Sequence, residues 1–268
     1  MKQSKPCIFC GAYGNQSKEH FYPAWLAEFI ESGKVHNVAT LVTQLGAGPK
    51  EVTERYRRQG HLISKTLRVV CRPCNNGWMS QLESAVKPLL VIAVTGQERT
   101  LEIPDITLLA QWVCLKTMIS EHADSELAST PAADRRAFYE ARAIPGYYRI
   151  YLGAQSTQSV TWLYRHSSTI SLSSTVQPPL LDGLSRNVQT VTFILGRLVF
   201  HVLAARVSGF ELDRDLCYPG LQKIWPMPPS PVSTAELRAL DSSQLALVRE
   251  SFETYLAYQR PRFVDNVI

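Results

Sequence analysis

Val69-Val70-Cys71-Arg72-Pro73-Cys74-Asn75-Asn76-Gly77-Trp78 has a counterpart near the N-terminus, Cys7-Ile8-Phe9-Cys10-Gly11. In each stretch two cysteines are separated by two residues and border apolar residues that suit the end of a strand. Two such knuckles offer four thiolates, the soft donor set that Zn²⁺ takes in closed, four-coordinate structural sites. One Cys-x-x-Cys alone says little, because redox motifs share it. A pair of them, one followed by Gly11 and the other by Asn75-Asn76-Gly77, points to one shared zinc ion. The chain from Cys10 to Cys71 is longer than an ordinary zinc-ribbon spacing, so a sizeable loop or hairpin is expected between the knuckles.

Inside that loop, Ser17-Lys18-Glu19-His20-Phe21-Tyr22-Pro23 sets an acidic residue directly before a histidine. A Cys-x-x-Cys, a Glu-His pair and a closing Cys-x-x-Cys followed by Asn resemble the zinc-bearing HNH endonuclease family over about residues 5–85. The segment Asn75-Asn76-Gly77-Trp78-Met79-Ser80-Gln81-Leu82-Glu83 is similar to uncharacterised bacterial members of that group. The resemblance implies a ββα-metal unit of treble-clef type, whose closing knuckle opens the helix. It also implies metal-dependent endonuclease activity on the phosphodiester bonds of DNA, with RNA as the other candidate substrate. In that scheme His20 is the general base, and Glu19 and Asn75 bind the catalytic ion. Oxygen-only ligation makes that ion Mg²⁺ or Mn²⁺ rather than Zn²⁺. Cys7, Cys10, Cys71 and Cys74 hold the structural zinc.

The sequence departs from the family at Thr66, where an amide usually anchors the loop bearing the base, and at Trp78, where Lys or His is usual. Each site residue also has a plainer reading. Taken without the flanking knuckles, His20 reads as a buried, hydrogen-bonded histidine; Glu19 also reads as the partner of Lys18 or an arginine, and Asn75 as a helix cap. Two other functions therefore stand beside the nuclease. One is a catalytically inactive zinc module that binds nucleic acid; the other is a protein-interaction scaffold stapled by zinc.

The net charge of +5 is unevenly placed: residues 1–100 carry 13 Lys/Arg against 7 Asp/Glu, and residues 101–268 carry 15 against 16. A basic excess on the zinc-bearing part suits a phosphate backbone, although a solvated cationic surface gives the same count. Arg55, Arg57 and Arg58 surround Tyr56, and with Lys65 and Arg72 they are the candidate nucleic-acid contacts. An exposed cationic hairpin is the alternative for the first three. A hydrophobic content of 45% with 19% charged residues is that of an ordinary globular chain. No apolar run follows Met1, so a signal peptide is not expected, and the apolar run over 89–94 is too short to cross a bilayer. Cys114 and Cys217 lie in apolar sequence and read as buried thiols, so a reducing, cytoplasmic setting without a membrane partner is expected.

The expected architecture is α+β, with a ββα-metal (HNH-like) module over 1–95 and a mixed helical and antiparallel-sheet domain over 96–268. The second part is expected to position substrate or to form a homo-oligomer. Pro23 opens a short helix to 30, a strand covers 38–45, a turn 46–49 and another strand 66–70. Apolar residues recur at helical spacing over 76–92, with Trp78 packing the zinc lobe on the rest and Pro88 predicting a bend or early stop. Residues 95–97 are the expected boundary.

Residues 104–123 form the clearest helix, with Ile106, Leu109, Trp112, Val113, Lys116, Met118 and Ile119 on a wide apolar face. Thr130-Pro131 opens another helix, through 142. Glu121 and His122 read as polar residues at a helix end. From Tyr148 the period becomes two, giving strands over 148–152, 159–164, 169–173, 188–195 and 197–205, the last two turning at Gly196. Residues 219–231 read as a crossing loop, and Ser233-Thr234 and Ser242-Ser243 precede helices.

Overall fold

The computed structural model describes residues 5–29, 40–44, 48–51, 65–156, 162–168, 184, 186–206, 220–228 and 230–251. Strand β1 (Gln16–His20) is followed by a 3-10 turn over Ala24–Glu28, and by β2 (Thr40–Gln44), β3 (Gly48–Glu51) and β4 (Thr66–Cys71). β1 and β4 pair antiparallel, with Gln16 opposite Cys71 and His20 opposite Thr66, and an irregularity at Lys18. β4 then runs straight into one turn of helix, α1 (Arg72–Cys74), a π turn over Asn75–Met79, and α2 (Ser80–Thr95).

Pro73 sits in the first turn, where a missing N–H breaks no helical hydrogen bond. Gly77 leaves the helical region (φ −94°, ψ −112°) within the π turn. Pro88 does not end the helix early: α2 continues to Thr95. Burial of Val86, Leu89, Leu90 and Ala93 offsets the lost hydrogen bond, which costs about 3 kcal/mol in a helix interior. Gly96, in the left-handed region at φ 74°, ends it with a hydrogen bond to Ile92 O.

The rest comprises β5 (Thr100–Leu101), α3 (Ile103–Ser120), a 3-10 segment over Glu121–Leu127, α4 (Ala132–Ala141), β6 (Tyr148–Gln155) and β7 (Trp162–Ser168). These are followed by β8 (Val188–Leu195), β9 (Leu198–Ala205), β10 (Gln222–Trp225), β11 (Val232–Ser233) and β12 (Ala239–Leu240). A last helical stretch covers 242–251, its first turn capped by Asp241, whose Oδ1 accepts from Ser243 N and Gln244 N.

The large sheet has the order β10-β6-β9-β8-β7-β2-β3, with β12 beside β6. It is antiparallel from β10 to β7, but β2 joins β7 in parallel and β12 joins β6 in parallel. The expected all-antiparallel sheet is therefore corrected to a mixed one. Neither parallel contact is made across a short turn, so no local turn dictates its direction.

Alternation along the central strands sorts side chains to two faces. Phe193, Leu195, Phe200 and Val202 join the core shared with α2 and α3, while Ile194, Val199 and Leu203 face the other way with Leu240, Leu245 and Val248. Helices thus cover both faces. Trp112 of α3 meets Phe200 edge-on, with ring centroids 6.2 Å apart. Among the described residues no helix is long and apolar enough to cross a membrane.

Several local expectations shift. Residues 219–231 are not a plain crossing loop, since β10 lies within them and pairs with β6. No helix follows Ser233-Thr234; β11 pairs with β5 and β12 with β6 instead. These short edge strands take partners far away in the chain, which periodicity cannot register. The strand expected over 169–173 lies outside the described residues. At 95–97, one hydrophobic core runs unbroken from Cys7 to Leu237. β2 and β3, from the N-terminal part, extend the sheet of the C-terminal part.

Candidate metal centre and the ion cluster beside it

The first knuckle is closed by its own backbone: Gly11 N donates to Cys7 O at 3.0 Å, and Gly11 sits at φ 75°, where a side chain would be strained. Ile8 N donates to Val69 O at 3.0 Å and Arg72 N to Asn15 O at 2.8 Å, which lays this knuckle against the second. The sulfurs of Cys7, Cys10, Cys71 and Cys74 consequently all lie within 4.8 Å of one another. Cys10 Sγ and Cys71 Sγ are 3.5 Å apart, too far for a disulfide. Zn–S bonds of about 2.3 Å in a tetrahedron place sulfurs about 3.8 Å apart, so the four thiols fit one zinc ion.

Burial pushes the Cys71 and Cys74 thiols up. Burial also works against the Cys7 thiolate, but the backbone N–H groups of Cys10, Cys71 and Phe9 outweigh it and hold Cys7 below an ordinary thiol. The buried indole N–H of Trp78, without a conventional partner, favours the Cys74 thiolate.

Trp78 is the packing residue the sequence suggested. Its ring meets Phe9 at 5.1 Å and Phe138 at 5.9 Å, both edge-on, and the Arg142 guanidinium lies 4.0 Å over it. The first knuckle, the start of the long helix and α4 are thereby pinned at one point.

The candidate catalytic residues are neighbours but not equals. His20 ends β1, half-buried, and its imidazole has no hydrogen-bond partner among the described residues. Asn75 donates from Nδ2 to Ser17 Oγ at 2.9 Å and to Lys18 O at 3.0 Å, tying the helix opening to the irregular point of β1. Glu19 points into the protein. Its carboxylate accepts from Lys116 Nζ at 2.6 Å, and the same ammonium donates to Glu83 Oε1 at 2.5 Å and His20 O at 3.0 Å. Lys116 is 1% exposed and Glu19 4%.

Burial opposes the Lys116 charge, but the two carboxylates outweigh it and raise its pKa. Burial raises Glu19 as well, against the pull of Lys116. Both shifts have one sense: two acids share one ammonium, so the cluster holds its protons. Lys116 thus already pairs with the carboxylate that was expected to hold a divalent ion. Among the described residues, the four cysteines are the one group of three or more His, Cys, Asp or Glu side chains close enough to share an ion.

Of the nucleic-acid candidates, Arg72 is exposed just after β4 and Lys65 lies 5.0 Å over the Phe21 ring. Arg55, Arg57 and Arg58 lie outside the described residues. Sequence reasoning missed Lys116 as the partner of Glu19 and Glu83 as the second acid that shares it. The signal was present, since a lysine inside an apolar helical run needs a counter-charge when buried. Glu121 does stand at a helix end, as the C-cap of α3, but its burial was not anticipated. Glu121 is fully buried, accepts from Ser129 N at 3.1 Å and Thr130 N at 3.0 Å, and bonds Gln189 of β8. Comparisons of this chain with protein-family models, curated proteins and solved structures find no match.

Proposed function

We propose that this chain acts on nucleic acid through its zinc-stapled ββα unit, hydrolysing phosphodiester bonds with His20 as general base. The observation that carries the reading is the placement of His20: a half-buried imidazole with no hydrogen-bond partner among the described residues, at the end of β1 beside the strand that leads through Cys71 and Cys74 into the helix. A general base needs such freedom to take a proton from an attacking water. The zinc in this scheme is structural; its four sulfur donors leave no open position for substrate. Asn75 anchors β1 against the helix opening, which fixes where His20 stands. Arg72 and the basic surface of residues 1–100 supply phosphate contacts.

The engagement of Glu19 by Lys116 favours a second reading, a zinc module that binds nucleic acid without cutting it. Plasmid nicking by the zinc-loaded protein in Mg²⁺ or Mn²⁺, with His20→Ala alongside, separates the two. Cleavage lost in His20→Ala supports the nuclease. A salt-sensitive gel shift without cleavage supports the binder, and neither cleavage nor shift rejects both.

A further inference from the structure

The outer side of the first knuckle borders a pocket of about 450 Å³ lined by Lys5, Arg68, Arg135, Arg136 and His122, with Ile8 and Val69 in its apolar wall. No Asp or Glu lines it among the described residues, although Cys7 and Cys10 of the metal centre border it. The four cations are not equivalent. Arg136 is matched by Glu140 at 2.5 Å and donates to Cys10 O at 2.8 Å. Arg135 donates from Nε to Ile8 O at 3.1 Å and from a terminal N–H to Thr130 O. These two clamp α4 to the knuckle, beside thiolates whose charge a zinc ion half cancels.

Lys5 and Arg68 are unspent. Their side chains make no hydrogen bond or ion pair with any described residue, and Arg68 is exposed on β4. The Nε2 of His122 is shielded from solvent and has no hydrogen-bond partner among the described residues. Burial, with Arg135 next to it, lowers the His122 pKa to about 4, so the ring is neutral and free to offer an N–H. Ala132, the first residue of α4, completes the wall and brings the positive end of that helix to the pocket.

Two unspent cations, a helix N-terminus and an unsatisfied imidazole nitrogen call for a compact dianion with several acceptor oxygens, and the apolar wall suits a body attached to it. We infer that this pocket binds a phosphomonoester, either on a free nucleotide or at the 5′ end of a nucleic-acid strand. The volume lies within the range of small-molecule pockets, roughly 300–1,000 Å³. The site is separate from His20 and does not depend on phosphodiester hydrolysis.

Isothermal titration of the zinc-loaded full chain at low salt tests the proposal. The probes are adenosine 5′-monophosphate against adenosine, and one short oligonucleotide with a 5′-phosphate against its 5′-hydroxyl form. The phosphorylated member of at least one pair should bind tenfold or more tightly than its partner, and the pair that does so identifies the source. Arg68→Gln and Lys5→Gln should each weaken that binding about tenfold, or ~1.4 kcal/mol, with zinc content and melting temperature unchanged. Wild-type affinity in both variants overturns the proposal, as does the absence of heat with every probe at millimolar concentration. Oligonucleotide binding indifferent to the 5′-phosphate, with adenosine and its monophosphate also equal, overturns it too while leaving the nucleic-acid reading of the chain intact.

Discussion

Lys116 is the residue on which the two lobes are joined electrically. It stands in α3 among side chains that are all buried from Trp112 to Ser120, yet reaches Glu19 on β1 and Glu83 on α2. Removing a charge from such a cluster strands its partners in a low-dielectric interior. Lys116→Met should therefore cost about 3–5 kcal/mol in urea unfolding, the usual penalty for a broken buried pair. Adding Glu19→Gln and Glu83→Gln to Lys116→Met should recover part of the loss, because no uncompensated charge then remains. A single variant as stable as wild type would show that the ammonium is dispensable. His201 illustrates the opposite solution: buried with Thr192 Oγ1 2.8 Å from its Nδ1, it is kept neutral by burial, its pKa lowered to about 3.

At the scale of elements, the β8–β9 hairpin is docked on the end of α2 through Gly196. This residue is at φ 56°, and a Cβ there would stand 2.5 Å from both Ala93 O and Val94 Cα. Arg197 N also donates to Ala93 O at 2.9 Å, so the turn and the helix end share one contact. Gly196→Ala combines left-handed strain with a backbone clash and should cost about 2–4 kcal/mol. Gly14→Ala is the control: it carries φ 78° but meets nothing within 4 Å, so only the strain of about 1–2 kcal/mol applies. Melting temperatures of the two variants compare them directly. Equal losses would mean that the hairpin does not press on α2.

For the molecule as a whole, the metal is expected to hold the first knuckle in place. Cys7 and Cys10 are joined to Cys71 and Cys74 by a chain segment too long to position them by itself, and the ion supplies the missing constraint. Structural zinc contributes about 10–16 kcal/mol of apparent folding free energy in small zinc peptides. Metal analysis should find one zinc per chain, and Cys71→Ser with Cys74→Ser should abolish it. Chelation should change the fluorescence of Trp78, whose ring is wedged against Phe9 of the knuckle. Retention of zinc by the double variant would mean that the four sulfurs do not share an ion.

The four cysteines, the strand–knuckle–helix order, the long helix α3 and the β8–β9 hairpin were all legible in the sequence, because each rests on spacing or periodicity within a short window. Trp78 as the pin between lobes was legible too, since a large apolar ring beside a knuckle has nowhere else to be buried. The partners of Glu19, the burial of Glu121 and the parallel seating of β2 on β7 were settled only by the tertiary structure. Lys116 lies 97 positions from Glu19 in the chain and Gln189 lies 68 from Glu121, and no local pattern reports contacts at that range. A carboxylate beside a histidine reads as a metal ligand until folding brings an ammonium to it. Which cation meets Glu19 is decided by packing between elements, not by the residues on either side of it.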